Sequence, residues 1–283
     1  RRKHDPSFPI RSIRFCLDQA GISDRELDYV VFYEKPLKKL GRVLSSGLRN
    51  FPWSTRVFSR SMSQWIFDRI WIKNRIAGLL QISPERIIFV EHHLSHAASA
   101  FLSSPFEESA ILTADGVGEW ATTTIGRGKA SWDQGTANDM CLNHEIRFPH
   151  SLGLLYAAFT AFLGFRVNSD EYKVMGMSSF GQPTYLDALR QMVTVLDDGS
   201  FELDMTYFTY DRSTNSTFSS KFIELLGISP RPPNIDFELL QDNSKPNSRQ
   251  LNKHQEYANI AASIQVLTEE ILVKMARYAL SQS

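Results

Sequence analysis

Apolar positions along the chain fall into two kinds of run. Ile10, Ile13 and Leu17 recur at three- and four-residue spacing and predict a helix over residues 9–20, with Pro9 in its first turn and Gly21 past its end. The same spacing in Ile260, Ile264, Leu267, Ile271, Met275 and Tyr278 predicts a long amphipathic helix. The run at 152–165, with Gly164 near its end, reads as a core helix and is too short to span a bilayer. Shorter apolar runs predict strands: YVVFY at 29–33 as a buried strand and IIFV at 87–90 as a central one. Residues 110–114 and 121–125 predict a hairpin about the tight turn at 115–119. Gly126 and Gly128 then read as leading into a further turn, 145–148 as a short strand and 187–196 as a helix. An alanine-rich helix is expected over 92–102, a turn from Ser83, and a capping box at Ser23 and Glu26.

Two stretches break this pattern. Residues 36–80 carry nine Lys/Arg against one acid, Asp68, interleaved with Phe51, Trp53, Phe58, Trp65, Phe67 and Trp71. Basic residues among aromatics can bind nucleic acid or anionic lipid. Aromatic burial is the stronger general driver, so a helical insertion with its aromatics inside is the favoured reading. Residues 211–259 are rich in Ser, Asn and Pro and predict an irregular surface connection with one short helix near 221–226. The order of strands, hairpin and helices predicts an α/β domain with a mixed sheet.

Composition adds exclusions. The 283 residues are 42% hydrophobic, enough for one large core or two domains. Lys+Arg and Asp+Glu are 31 each, so no overall field points to nucleic acid or a membrane. Cys16 and Cys141 lack metal-site spacing and are expected as buried thiols in a reducing, cytoplasmic setting. The start at Arg1-Arg2-Lys3 without Met, and the stop just past a strong helix pattern, read as a piece of a longer protein.

The densest chemistry lies between 91 and 118. His92 and His96 stand at i and i+4, which on a helix puts two imidazoles on one face, close enough to share a metal ion. Asp115, at the end of a strand, adds an oxygen ligand and leaves positions open for a substrate. The zincin pattern is not met, since His93 stands where its catalytic Glu would be; His93 reads as orienting a neighbour. Gly116 and Gly118 let backbone N–H groups approach a phosphate, although a plain hairpin turn would carry the same residues. Glu171 and Lys173 read as ligand contacts or as a loop ion pair, the pair being favoured locally. Lys3, beside His4 and Asp5, can bind an anion, while a chain end is often disordered. No Ser–His–Asp or Cys–His arrangement is apparent.

Several long stretches together resemble the O-carbamoyltransferases of nodulation and antibiotic tailoring. They are RKHDPSFP at 2–9, FYEKPL at 32–37, EHHLSHAASAF at 91–101, DGVGEWATT at 115–123, FPHSLGLLYAAFTAFLGF at 148–165, EYKVMGM at 171–177 and AASIQ at 261–265. The resemblance implies an actin/sugar-kinase-like (ribonuclease H-like) α/β fold, related to the tRNA threonylcarbamoyl transferases. It implies use of ATP and carbamoyl phosphate to form a carbamoyl-adenylate, whose carbamoyl group passes to the hydroxyl of a small molecule. By the same resemblance His92, His96 and Asp115 match ligands of a divalent metal, iron in relatives. Gly116 and Gly118 match the phosphate turn, and Lys3 a basic position near carbamoyl phosphate. Glu171 and Lys173 fall in a family motif without an assigned role. Asp170 stands where the family commonly has Gly.

The family's catalytic histidine and first strand would precede residue 1, and a Gly-Gly nucleotide segment with a further metal aspartate would follow the AASIQ helix. Residues 1–283 are therefore expected to be one partial N-terminal domain, inactive alone, with an exposed sheet edge and a missing C-terminal half as its partner. Two rivals remain: a threonylcarbamoyl-type transferase, and a non-catalytic module binding an anionic partner through 36–80.

Overall fold

The computed structural model describes residues 7–55, 58–59, 70–131, 138–213, 215–233 and 248–282. Lys3, Trp65, Phe67 and Asp68 lie outside the described residues. The chain is an α/β protein with several small sheets.

The N-terminal part is built on a parallel strand pair. Helix α1 (Ile10–Ala20) ends at Gly21, which takes the left-handed conformation at φ 67°. Ser23 and Glu26 then form the expected capping box. Strand β1 (Val30–Phe32) pairs in parallel with β2 (Ile87–Phe89), and the connection between them runs through α2 (Pro36–Arg49) and α3 (Ile72–Leu80). Ile76 and Leu80 on α3 pack with Ile82 and Ile87, and Ile10 and Ile13 of α1 close the cluster.

Burial here corrects two expectations. The strand at 29–33 is not buried on both faces: Tyr29, Val31 and Tyr33 are exposed, because helices cover only one side of the pair. Among the described aromatics of the insertion, Phe51, Trp53 and Trp71 are not inside either, at 69%, 77% and 58% exposed, while Phe58 is half-buried. Phe51 and Trp53 fall in the turn beyond α2, and Trp71 stands before α3, off its Ile72–Ile76–Leu80 stripe.

After α4 (His92–Phe101) comes an antiparallel sheet in the order β3 (Glu108–Ala114), β4 (Ala121–Lys129), β5 (Asp139–Arg147). Gly126 and Gly128 belong to β4 rather than to a turn. Gly126 lies at a bulge where a Cβ would come within 2.0 Å of the Cys141 carbonyl oxygen, so only glycine lets β5 pair there. That pairing extends β5 well beyond the expected 145–148. Parallel and antiparallel pairings are divided between separate sheets among the described residues, and β2 pairs with β1 alone.

The main core lies on one face of β3–β5. Helix α5 (Leu152–Phe162) contributes Leu155, Phe159 and Phe162, all fully buried. Helix α6 (Glu171–Ser178) adds Val174 and Met177. Expected as one helix, 187–196 divides into α7 (Leu186–Arg190) and β6 (Val193–Val195), which pairs with β7 (Phe201–Leu203). The β-branched Val193, Thr194 and Val195 favour the strand.

Within 211–259 the described residues hold the short helix expected near 221–226 and, beyond expectation, the start of the long one. Helix α8 (Ser220–Leu226), capped by Ser219, buries Phe222 among Phe159, Phe162 and Phe208. Helix α9 (Ser248–Ser281) begins well before 259 and buries Ile260, Ile264, Leu267, Ile271 and Met275. Cys16 and Cys141 are free but exposed, contrary to expectation: α1 buries none of its residues, and Cys141 lies on edge strand β5. Among the described residues no helix is long and apolar enough to cross a membrane.

Candidate metal centre

The chain enters α4 directly from the parallel strand pair, where the Val90 N–H still donates to the Phe32 carbonyl. Glu91, at the cap position, makes no side-chain cap. The hairpin fills that role. Glu119, only 6% exposed, accepts the His92 N–H at 3.1 Å and 3.2 Å through its two oxygens and the Lys35 N–H at 2.7 Å. A carboxylate at a helix N-terminus is favourably placed against the helix dipole. Glu119 thus ties the start of α4, the chain leaving β1 and the β3–β4 turn together.

On α4 the i, i+4 spacing does what the sequence implies. The His92 and His96 rings lie edge-to-face at 4.6 Å, with Nε2 atoms 3.1 Å apart. Asp115 follows β3, and its N–H donates to the Thr122 carbonyl. Its Oδ2 lies 2.6 Å from His92 Nε2 and 3.5 Å from His96 Nε2. One ligand atom from each of the three residues lies within 4.8 Å of the others. The hydrogen bond from His92 holds the Asp115 carboxyl well below the usual carboxylate range; the Gly116 N–H on Oδ1 adds to this, against the effect of burial.

These three atoms fit a shared cation. A proton on His92 Nε2 can serve Asp115, but the 3.1 Å contact with His96 Nε2 then lacks a proton pointing along it. Lone pairs from both imidazoles and the carboxylate directed at one ion would remove that conflict. His92 Nδ1 is buried without a partner, so the ring is oriented through its backbone rather than by the usual hydrogen bond on the second nitrogen.

His93 does different work. It is buried; its Nε2 lies 2.8 Å from the Ala121 carbonyl, which can only accept, so the proton sits on Nε2. Nδ1 then accepts from Thr113 Oγ1 at 2.6 Å, and Thr113 accepts from Thr124. Burial lowers the His93 pKa, in keeping with this neutral form. His93 locks α4 onto β3 and β4 and makes no hydrogen bond to the three candidate ligands.

The turn after Asp115 is clamped from the other side by α5. Ser151 Oγ accepts the Leu154 N–H at the helix N-cap, and its hydroxyl donates to the Gly116 carbonyl at 2.6 Å. At Gly153 a Cβ would lie 2.8 Å from the Asp115 and Gly116 backbone, so glycine permits this approach. The Gly116 N–H already serves Asp115 Oδ1, and the Gly118 N–H donates to the Ala121 carbonyl. Any phosphate at this turn competes for those donors.

Glu171 and Lys173 stand on α6 and do not pair with each other. Glu171 accepts the Asn168 N–H, while Lys173 Nζ lies 3.0 Å from Asp170 Oδ2 and holds that carboxyl below the ordinary range. Among the described residues neither bonds to His92, His96 or Asp115. Sequence reasoning gave no role to Glu119, or to Glu34, which is 1% exposed and bound by Lys39 Nζ at 2.6 Å. An acid in a turn reads as solvated; only the lack of a capping side chain at Glu91 hinted that one must come from elsewhere.

A family model described as Carbamoyltransferase N-terminus matches residues 1–282. An uncharacterized protein of Synechocystis is 42% identical over 285 residues, covering 97% of this chain and 42% of its own length. Nodulation protein NolNO of Sinorhizobium fredii is 34% identical over 72% of this chain and 28% of its own. Nodulation protein NolO of Bradyrhizobium diazoefficiens is 34% identical over 41% of this chain and 20% of its own. The chain spans less than half the length of these curated relatives.

Proposed function

The chain belongs to the carbamoyltransferase N-terminus family, and from that premise we propose that it is the metal-bearing part of an O-carbamoyltransferase that acts on a hydroxyl of a small molecule. The reading includes an actin-like fold for the intact protein, ATP and carbamoyl phosphate as substrates, and a cytoplasmic setting, which two free, exposed thiols suit. Its main support is the convergence of His92, His96 and Asp115 on one point. Two imidazoles and one carboxylate with open positions form a donor set suited to Fe(II).

When bound, the divalent metal would supply Lewis-acid stabilisation of charge developing on phosphate or carbamoyl oxygens. The chain's own residues prepare that point. Asp115 remains ionised, Glu119 fixes where α4 begins, and Ser151 and Gly153 hold the turn against α5. A phosphate at the turn would take the Gly116 N–H from Asp115 Oδ1 and the Gly118 N–H from the Ala121 carbonyl, with Lys3 as a further cation. In the transfer step the acceptor oxygen bonds the carbamoyl carbon, the carbon–oxygen bond to AMP breaks, and the hydroxyl proton passes to solvent. Positioning and electrostatics carry this chemistry, with no side-chain nucleophile.

The test is carbamoyl-phosphate-dependent release of pyrophosphate from ATP by the intact protein. Release is expected with wild type and is expected to be absent for residues 1–283 alone. Release that ignores carbamoyl phosphate overturns the reading. The exposed Phe51, Trp53 and Trp71 beside basic residues favour a second reading, in which this segment holds an anionic partner such as RNA. Filter binding with a steep salt slope would support it.

A further inference from the structure

A cavity of about 130 Å³ lies between α2 and the chain near 211, lined by Arg42, Ser46, Ser54, Phe58, Phe148 and Asp211. An engineered cavity of roughly this size holds benzene, so one six-membered ring fits. The cavity is linked to the turn that carries Glu119. The Phe148 N–H donates to the Trp120 carbonyl, next to Glu119, and Arg42 lies within the field of Glu34 and Glu119.

Its polar groups are set for a ligand. The Arg42 guanidinium stacks over the Phe148 ring at 5.1 Å, and its buried Nε has no hydrogen-bond partner. The Asp211 side chain is 8% exposed, and its nearest cation, Arg212 Nη1, is 3.4 Å away. Ser54 Oγ donates to the Gly47 carbonyl, which leaves its lone pairs free to accept. The cavity thus combines a buried donor, buried acceptors and two aromatic rings.

Resting on the carbamoyl-transfer reading, we infer that this cavity seats the acceptor and selects a neutral, hydroxyl-bearing ring over an aminated one. A neutral hydroxyl can accept from Arg42 Nε while another donates to Asp211. The buried charges of Arg42 and Asp211 lie in the same cavity, so an ammonium or a carboxylate meets attraction from one and repulsion from the other. It still loses its hydration on entry, which a neutral hydroxyl loses far more cheaply. Desolvation therefore discriminates against either charge, while the aromatic rings contact the ring carbons.

The experiment uses the intact protein and three matched probes: trans-1,2-cyclohexanediol, trans-2-aminocyclohexanol and 2-hydroxycyclohexanecarboxylate. Binding is read by saturation-transfer NMR without ATP, carbamoyl phosphate or metal, so its outcome is separate from that of pyrophosphate release. The diol is expected to bind at least about tenfold more tightly than either charged probe. Arg42→Gln and Asp211→Asn are each expected to weaken the diol. Ser46→Leu, which fills the cavity without touching a charge, is expected to abolish binding while a thermal melt reports an intact fold. Equal or tighter binding of the amine, no binding of the diol, or diol binding unchanged in Ser46→Leu overturns the inference.

Discussion

Removing the Glu119 carboxylate should reveal how the candidate centre is built. Glu119→Ala leaves two backbone donors, the N–H groups of Lys35 and His92, in a buried setting without their acceptor. An unsatisfied buried donor costs about 1–3 kcal/mol, so the loss should be about 2–6 kcal/mol, lowered if water enters. Glu119→Gln behaves differently. Both donors point at Oε1, within 2.7 Å and 3.1 Å, and an amide oxygen in that place can still accept from both. The charge assistance and the second, 3.2 Å contact of the His92 N–H with Oε2 are lost, for about 1 kcal/mol. Urea denaturation gives both values, with an unchanged slope marking an unchanged unfolding transition. Calorimetric titration with Co(II) reads the second consequence: His92 shifts with its backbone, and affinity should drop about 10–100-fold in the alanine variant. Rescue by glutamine of most of both losses is the expected pattern. An alanine variant as stable as wild type and binding Co(II) equally well would refute the idea that this carboxylate sets the start of α4.

Other substitutions probe separate points. Ser151→Ala removes the α5 N-cap and a hydroxyl bond to the Gly116 carbonyl, and should cost about 1–2 kcal/mol by urea denaturation. Gly153→Ala forces a Cβ against the Asp115 backbone and should destabilise by about 1–3 kcal/mol while also weakening Co(II) binding. Burial raises the Asp211 pKa. The stability linked to a raised carboxyl pKa is present below the unfolded value, near pH 4, and lost as pH rises through the folded value. Asp211→Asn does not titrate, so its denaturation midpoint should exceed wild type at pH 7 and converge with it below about pH 4. That gain, beside weakened diol binding, would mark a residue retained for binding at a cost in stability.

The convergence of His92, His96 and Asp115 was legible because helical spacing is a strong constraint. His92 and His96 could face one point only if 92–102 were helical, and the hairpin pattern at 110–125 delivered Asp115 to it. The long helix with Ile260 through Tyr278 was equally plain, since its stripe continues for several turns. What failed was local composition read without its neighbours. Gly126 resembled a turn residue but marks a bulge that lets β5 pair. Phe222 sat in a polar tract yet reaches the core, and Phe51 and Trp53 are apolar yet exposed. Glu119 was hidden for a different reason: its role is to satisfy donors 27 and 84 positions away, and no local pattern encodes that.

The most direct measurement is calorimetric binding of Fe(II), handled without oxygen, to the intact protein and to its His96→Ala variant. One ion per chain in wild type and a loss of at least about tenfold in affinity in the variant are expected. A wild type that binds no ion, or a variant that binds as tightly, would contradict a metal centre at His92, His96 and Asp115.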